Sequence, residues 1–177
     1  MRPAGAFKQN ESECGARVLF GFTNSKPITR NRKPVFTMVE RTLIILKPDC
    51  VERGLMGQVL FRFEQRGLKV AAARLLRFSP KLCDEHYAHL KDKPFFPALV
   101  SFMTSKPVLC AVLEGTDAVQ TVRDMCGPTD SKKASKGTIR GDFGTDVQSN
   151  IIHASDSKET ATVEIARFFK TEELFSY

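Results

Sequence analysis

A chain of 177 residues with 42% hydrophobic content is long enough for one globular domain with a real core, with residues to spare. Its apolar runs are broken by charge or proline within about ten residues, well short of the roughly 20 that a bilayer span needs, so no membrane span is expected. The formal charge of +7 is uneven: residues 1–37 hold seven basic residues against Glu11 and Glu13, a net of +5, which leaves +2 for the rest. A specific nucleic-acid-binding face on the folded part is therefore not expected. Cys14, Cys50, Cys83, Cys110 and Cys126 include no C-x-x-C pair. They read as free thiols of a reducing compartment and are assigned no chemistry.

Residues 1–37 mix proline, glycine, asparagine and lysine around one apolar patch, "VLFGF", with neither helical nor strand periodicity. They read as a poorly ordered basic extension. Their composition is compatible with an organelle transit segment, although Glu11 and Glu13 count against that. Met38 offers an alternative start just before a folded domain expected over 38–177.

From Arg41 the punctuation becomes regular. "TLIIL", Thr42 to Leu46, reads as a buried strand ended by Lys47-Pro48. "GQVLFRFEQRG" spaces Val59, Leu60 and Phe63 as one helix face, with Gly67 where a C-cap belongs. "LKVAAARLLRF" is a second strand, and Ser79-Pro80 supplies the N-cap and first position of a helix running through Tyr87. His86 and His89 in that helix have charged neighbours and read as surface residues.

"FFPALVSFMTS" reads as a short helix, "PVLCAVLEG" as a third strand, and "DAVQTVRDMCG" as a helix with Val119, Val122 and Met125 inward. Gly127 to Val147 shows no periodicity, and so long a loop in a compact domain is more often functional than idle. "NIIHAS" then reads as a fourth strand. In the last helix Ala161, Ile165, Phe168 and Phe169 share a face, with Asp156 and Glu159 as its capping box. The plan is an α+β, ferredoxin-like β-α-β-β-α-β fold: an antiparallel four-stranded sheet with helical insertions.

The long loop and its flanks hold the candidate chemistry. Arg123, Thr129, Arg140 within "GTIRGDFG", and Asn150 combine guanidinium forks, a hydroxyl, an amide and glycine-exposed backbone, the groups a polyphosphate needs. No G-x-x-x-x-G-K-[ST] occurs, so the grip is not a Walker loop. The letters D-F-G lack the rest of the protein-kinase set, and Asp142 breaks a faint match to an RNA-recognition signature. His153 ends the predicted fourth strand, beside Ala154 and Ser155, where α/β sheets commonly place their sites. The residues alone leave it open whether this histidine is a packed core side chain or a nucleophile.

Taken together, "ERTLIILKPD", "RFEQRG", "EHYAHLKDKPFFPALV", "GTIRGDF", "NIIHASDS" and "TEEL" resemble nucleoside diphosphate kinase, in order, from about Glu40 to Tyr177. The resemblance implies transfer of a γ-phosphate from a nucleoside triphosphate to a nucleoside diphosphate, with Mg²⁺ carried by the phosphates, through a phosphohistidine. It implies that His153 is the nucleophile attacking through Nδ1, that Glu164 holds the other ring nitrogen, and that Ser155 and Lys47 assist. By the same likeness Lys47, Tyr87, Lys93, Arg123, Thr129, Arg140 and Asn150 surround the phosphates and ribose, and Phe95 stacks on the base.

The resemblance further implies a homo-oligomer, with a hexamer favoured over a tetramer, and a cytoplasmic location, or a mitochondrial one if residues 1–37 act as a transit segment. Three departures from the family pattern stand out: Lys93 for arginine, Cys50 for glycine and Lys106 for glycine. The competing readings are a nucleotide-binding scaffold or sensor on the same fold, and a protein-histidine phosphotransfer role.

Overall fold

The structure, a computed structural model, describes residues 39–177, so the basic extension expected over 1–37 lies outside the described residues. Its framework is a four-stranded antiparallel sheet: β1 (Val39–Leu46), β2 (Lys69–Leu76), β3 (Val108–Thr116) and β4 (Ile152–Ala154), in the order β2-β3-β1-β4. β1 is central, pairing with β3 over its whole length and with β4 at its C-terminal end.

That position explains why "LIIL" reads as an unbroken apolar run. Leu43, Ile44, Ile45 and Leu46 are all fully buried, and because side chains alternate across a strand they feed two different cores. Ile44 and Leu46 pack under α2 (Met56–Gln65), α5 (Ala118–Cys126) and α6 (Ile139–Phe143), against Val59, Phe63, Val122 and Ile139. Leu43 and Ile45 pack on the other face under α3 (Pro80–His86), α4 (Phe96–Ser105) and α7 (Lys158–Phe168), against Cys83, Met103, Ile165 and Phe168. A short α1 (Pro48–Glu52), begun by the proline that ends β1, completes the helices.

The helix expected after Ser79 forms, and the Ser79 side chain accepts from the Leu82 amide as its N-cap. Three expectations need correction. β4 is three residues long, because the chain turns sharply at Ile151 before it reaches the sheet. The aperiodic loop contains a 3₁₀ turn at Ser131–Lys133 and α6, both too short to leave a periodic signature. The N-cap of α7 is Ser157, whose side chain accepts from the Thr160 amide, and Asp156 lies outside the helix.

The cysteines among the described residues, Cys50, Cys83, Cys110 and Cys126, are all free and buried. No helix of the described residues is long and apolar enough to cross a membrane.

The Ser157 cap gives an expected outcome. Ser157→Ala lowers stability by about 1 kcal/mol in urea unfolding at fixed protein concentration. Asp156→Ala, at an exposed position outside the helix, changes it by less than about 0.5 kcal/mol.

Candidate active site

Strand alternation aims the central histidine. His153 lies opposite Ile45 in the β4–β1 register, so its side chain joins the sheet face covered by α3, α4 and α7. Two residues on, Ser155 lies on the same face, and α7 brings Glu164 against both. His153 Nε2 stands 3.0 Å from Glu164 Oε1 and 3.2 Å from Oε2, while Ser155 Oγ donates to Oε2 at 2.6 Å.

Burial pushes the Glu164 carboxyl up, but the hydrogen bonds from His153 and Ser155 outweigh it and hold the group at about 2. Glu164 is therefore an anion that accepts, and the ring atom facing it is Nε2–H. The proton on Nε2 leaves Nδ1 as the lone-pair nitrogen, and Nδ1 has no hydrogen-bond partner among the described residues. The His153 side chain is 21% exposed, on the wall of a cleft of about 680 Å³.

Lys47, Tyr87, Phe95, Arg123, Thr129, Arg140 and Asn150 line this cleft together with His153 and Glu164. Lys47, at the end of β1, donates from Nζ to Asn150 Oδ1 at 2.6 Å. Burial, reinforced by Arg140, pushes its ammonium down to about 8. Asn150 is 1% exposed and also donates to the carbonyls of Thr129 and Val147, so it ties Lys47, the long loop and the start of β4 into one unit.

Arg140 is carried by α6, which the Arg62–Asp142 ion pair at 2.7 Å fastens to α2. Its Nη1 donates to the Gly127 carbonyl and its Nη2 to the Ile152 carbonyl, both at 2.7 Å, while its Nε is buried without a partner. Both terminal nitrogens of this guanidinium thus organise the loop, on the wall of the cleft. Gly141, next to it, has to be glycine, because a Cβ there would overlap the Ser135 carbonyl. The Tyr87 hydroxyl is likewise buried and unpartnered on the cleft wall. Phe95 is 52% exposed, a ring offered to solvent at the mouth. Lys93 is placed differently: it is exposed in the turn before α4 and does not line the cleft.

Three residues that sequence reasoning passed over support the site. Ile151 has φ of +73°, and the Ile152 amide donates to the Asn150 carbonyl at 2.8 Å, which makes a γ-turn of the strained, positive-φ kind at a β-branched residue. Asp49 in α1 accepts from the Ile151 amide at 3.0 Å, and the Lys47 amide donates to the Ile151 carbonyl at 2.8 Å, so the turn is clamped on both sides.

The third is His86, expected on the surface and found 4% exposed, its ring centroid 4.8 Å from that of His153. The signal was present: Cys83, His86 and Tyr87 fall at i, i+3 and i+4, one helical face, and all three are buried. His89 is exposed as expected, and it lines the cleft.

The chemistry of the cleft is anionic-ligand chemistry. His86, His153 and Glu164 bring donor atoms within 4.8 Å of one another, but this nitrogen-rich set does not suit magnesium, which takes oxygen ligands in octahedral geometry. The cationic lining offers phosphate oxygens partners, so the fit is to a polyphosphate.

A family model described as nucleoside diphosphate kinase matches residues 40–174. The chain is 52% identical over 141 residues to the nucleoside diphosphate kinase of Pyrococcus horikoshii, covering 78% of this chain and 90% of that one. Among solved structures, it superposes on an orthorhombic crystal form of the Aquifex aeolicus nucleoside diphosphate kinase with a TM-score of 0.75 at 48% identity, over 78% of this chain and 100% of that one. It also matches a transition-state mimic of the Borrelia burgdorferi nucleoside-diphosphate kinase with bound vanadate and ADP, with a TM-score of 0.74 at 37% identity, over 78% of this chain and 92% of that one.

The buried lysine yields an expected pH dependence. Its depressed value means that the free protein loses the Lys47 charge as pH rises through about 8, whereas a bound anion favours the charged form. ADP affinity in calorimetric titrations therefore weakens above pH 8, by at most about tenfold per pH unit for one proton. Lys47→Arg, which keeps its charge, flattens that alkaline limb.

Proposed function

The chain belongs to the nucleoside diphosphate kinase family, and from that premise we propose that His153 is the residue that carries the phosphoryl group. The protein is a phosphotransferase acting on nucleotides. The observation that carries the assignment of His153 is its hydrogen bond to ionised Glu164, which fixes the tautomer and leaves Nδ1 on the cleft side.

In the first half-reaction a nucleoside triphosphate enters with its phosphates among Lys47, Arg123, Thr129 and Arg140 and its base against Phe95. The Nδ1 lone pair attacks the γ-phosphorus in line; the N–P bond forms as the bond to the β–γ bridging oxygen breaks, and the nucleoside diphosphate leaves with that oxygen. The ring gains positive charge as it attacks, and the Glu164 carboxylate stabilises that charge through Nε2–H. The second half-reaction runs this sequence in reverse onto another nucleoside diphosphate, which makes the route ping-pong. Phosphoryl transfer needs positioning and charge stabilisation above all, and on this reading the cationic side chains of the cleft wall, Lys47, Arg123 and Arg140, supply both.

On this reading magnesium would be carried by the nucleotide's own phosphates, because the residues proposed to meet them, Lys47, Arg123 and Arg140, are cations and Glu164 is already engaged by His153 and Ser155. Base selectivity is low on this reading, because a ring that stacks on Phe95 reads no base edge. Lys93, exposed two residues before Phe95, is proposed to reach the phosphates only when a nucleotide is bound.

The protein is further proposed to assemble as a homo-oligomer, a hexamer before a tetramer. Exposed Phe61 on α2 and Leu75 on the edge strand β2 give copies of the chain apolar surface to bury. A cytoplasmic location, or a mitochondrial one if residues 1–37 direct the chain, goes with this proposal. A pure nucleotide sensor has no use for a histidine aimed by a buried carboxylate, and that reading is set aside.

The direct test is incubation with γ-labelled ATP and Mg²⁺ without acceptor. Wild type is expected to take up acid-labile, alkali-stable label that chases onto added diphosphate, and His153→Ala to take up none while keeping its fold. Label on the alanine variant would move the nucleophile elsewhere.

A further inference from the structure

Glu164 and Arg167 sit one turn apart on α7, at the i, i+3 spacing from which they could pair directly. They do not. The His86 ring lies across both: Arg167 Nη1 is 3.1 Å from His86 Nδ1, and His86 Nε2 is 3.7 Å from Glu164 Oε1. A guanidinium only donates, so the nitrogen it meets has to be a lone-pair nitrogen, and the ring hydrogen of a neutral His86 has to be on Nε2, facing the carboxylate. The His86 side chain is fully buried, and its Nε2 has no hydrogen-bond partner.

We propose that Arg167 is a positioning residue for phosphoryl transfer: by occupying His86 Nδ1 it locks His86 in the neutral Nε2–H tautomer, whose N–H dipole faces the Glu164 carboxylate at 3.7 Å from the side away from Ser155. This rests on the reading of His153 as nucleophile.

The lock matters because both alternatives harm the site. With Nδ1 free, His86 can place its hydrogen there and turn a lone pair on Nε2 toward Glu164 Oε1, which repels the carboxylate from its place under His153. It can also take a second proton and compete with His153 for the same anion. Burial, with His153 next and Arg167 in the same direction, already pushes the His86 ring down to about 3, against the pull of Glu164. The groups facing the ring are His153 from β4, Glu164 and Arg167 from α7, and Tyr87 and His89 beside it on its own segment. None of the others donates to His86 Nδ1 among the described residues. Arg167 does not line the cleft, so its effect falls on the chemical step and leaves ligand binding alone.

The test combines spectroscopy with single-turnover kinetics on the full-length chain. In ¹⁵N-histidine-labelled wild type, long-range ¹H–¹⁵N correlations are expected to show His86 as the Nε2–H tautomer at neutral pH; an Nδ1–H tautomer overturns the proposal without bearing on His153. In Arg167→Leu the rate of phosphoenzyme formation from ATP is expected to fall roughly tenfold, the scale of one lost hydrogen bond, with KM for the nucleotide unchanged. Arg167→Lys, which restores a cationic donor, is expected to recover most of the rate. A leucine variant that is less heat-stable yet forms phosphoenzyme at the wild-type rate, or a lysine variant no faster than leucine, reduces Arg167 to a packing residue and refutes the proposal. Failure of wild type to label at His153 would instead refute the reading beneath it, whatever the His86 tautomer.

Discussion

One buried carboxylate organises the chemistry. Glu164 is 5% exposed and is kept ionised by the groups that donate to it, His153 and Ser155 on the strand side, while the His86 ring packs behind it without a hydrogen bond. A buried charge costs several kcal/mol unless it is paired and hydrogen-bonded, so the position of each donor is under tension from the same source. The imidazole is oriented because the anion engages its Nε2, and the ring as a whole lies on the cleft wall. β1 is the base of this arrangement, since its register with β4 decides which face His153 takes.

The phosphate side of the cleft is built on a different principle. It has few regular elements, and its rigidity comes from backbone carbonyls captured by side chains. Asn150 links Lys47 to the carbonyls of Thr129 and Val147, and Arg140 links Gly127 to Ile152. Between them lies the positive-φ turn at Ile151, which costs of order 1–3 kcal/mol and persists because Asp49 and Lys47 hold its amide and carbonyl. The turn shortens β4 and sets His153 at its middle position, opposite Ile45. The strained turn and the placement of His153 are one feature of the backbone.

Most of the fold was legible because periodicity reports burial. The run "LIIL" and the Val59 and Phe63 spacing follow from one strand feeding two cores and one helix feeding one. The site was legible in a different way, through residue types and a family resemblance, and the structure gathers nine of those side chains around one cleft.

What stayed hidden depends on backbone and on distant partners. A γ-turn at Ile151 leaves no composition signal, since isoleucine is the wrong residue for it. Asp49 acts on an amide 102 positions away. His86 was misread because charged neighbours outweighed its helical face. Arg167 is 81 positions from the ring it bonds, so nothing local marks it. Lys93 is a motif position that the structure leaves exposed in the turn before α4.

The central claim is that Glu164 occupies Nε2 and thereby commits the reaction to Nδ1. The measurement that bears on it most directly is NMR of the denatured or digested phosphoenzyme, made at alkaline pH where the phosphohistidine survives, to locate phosphorus on the His153 ring. Phosphate on Nδ1 is the result this geometry requires. Phosphate on Nε2 would mean that the carboxylate releases the ring during turnover, and the account of how the site aims its nucleophile would be wrong.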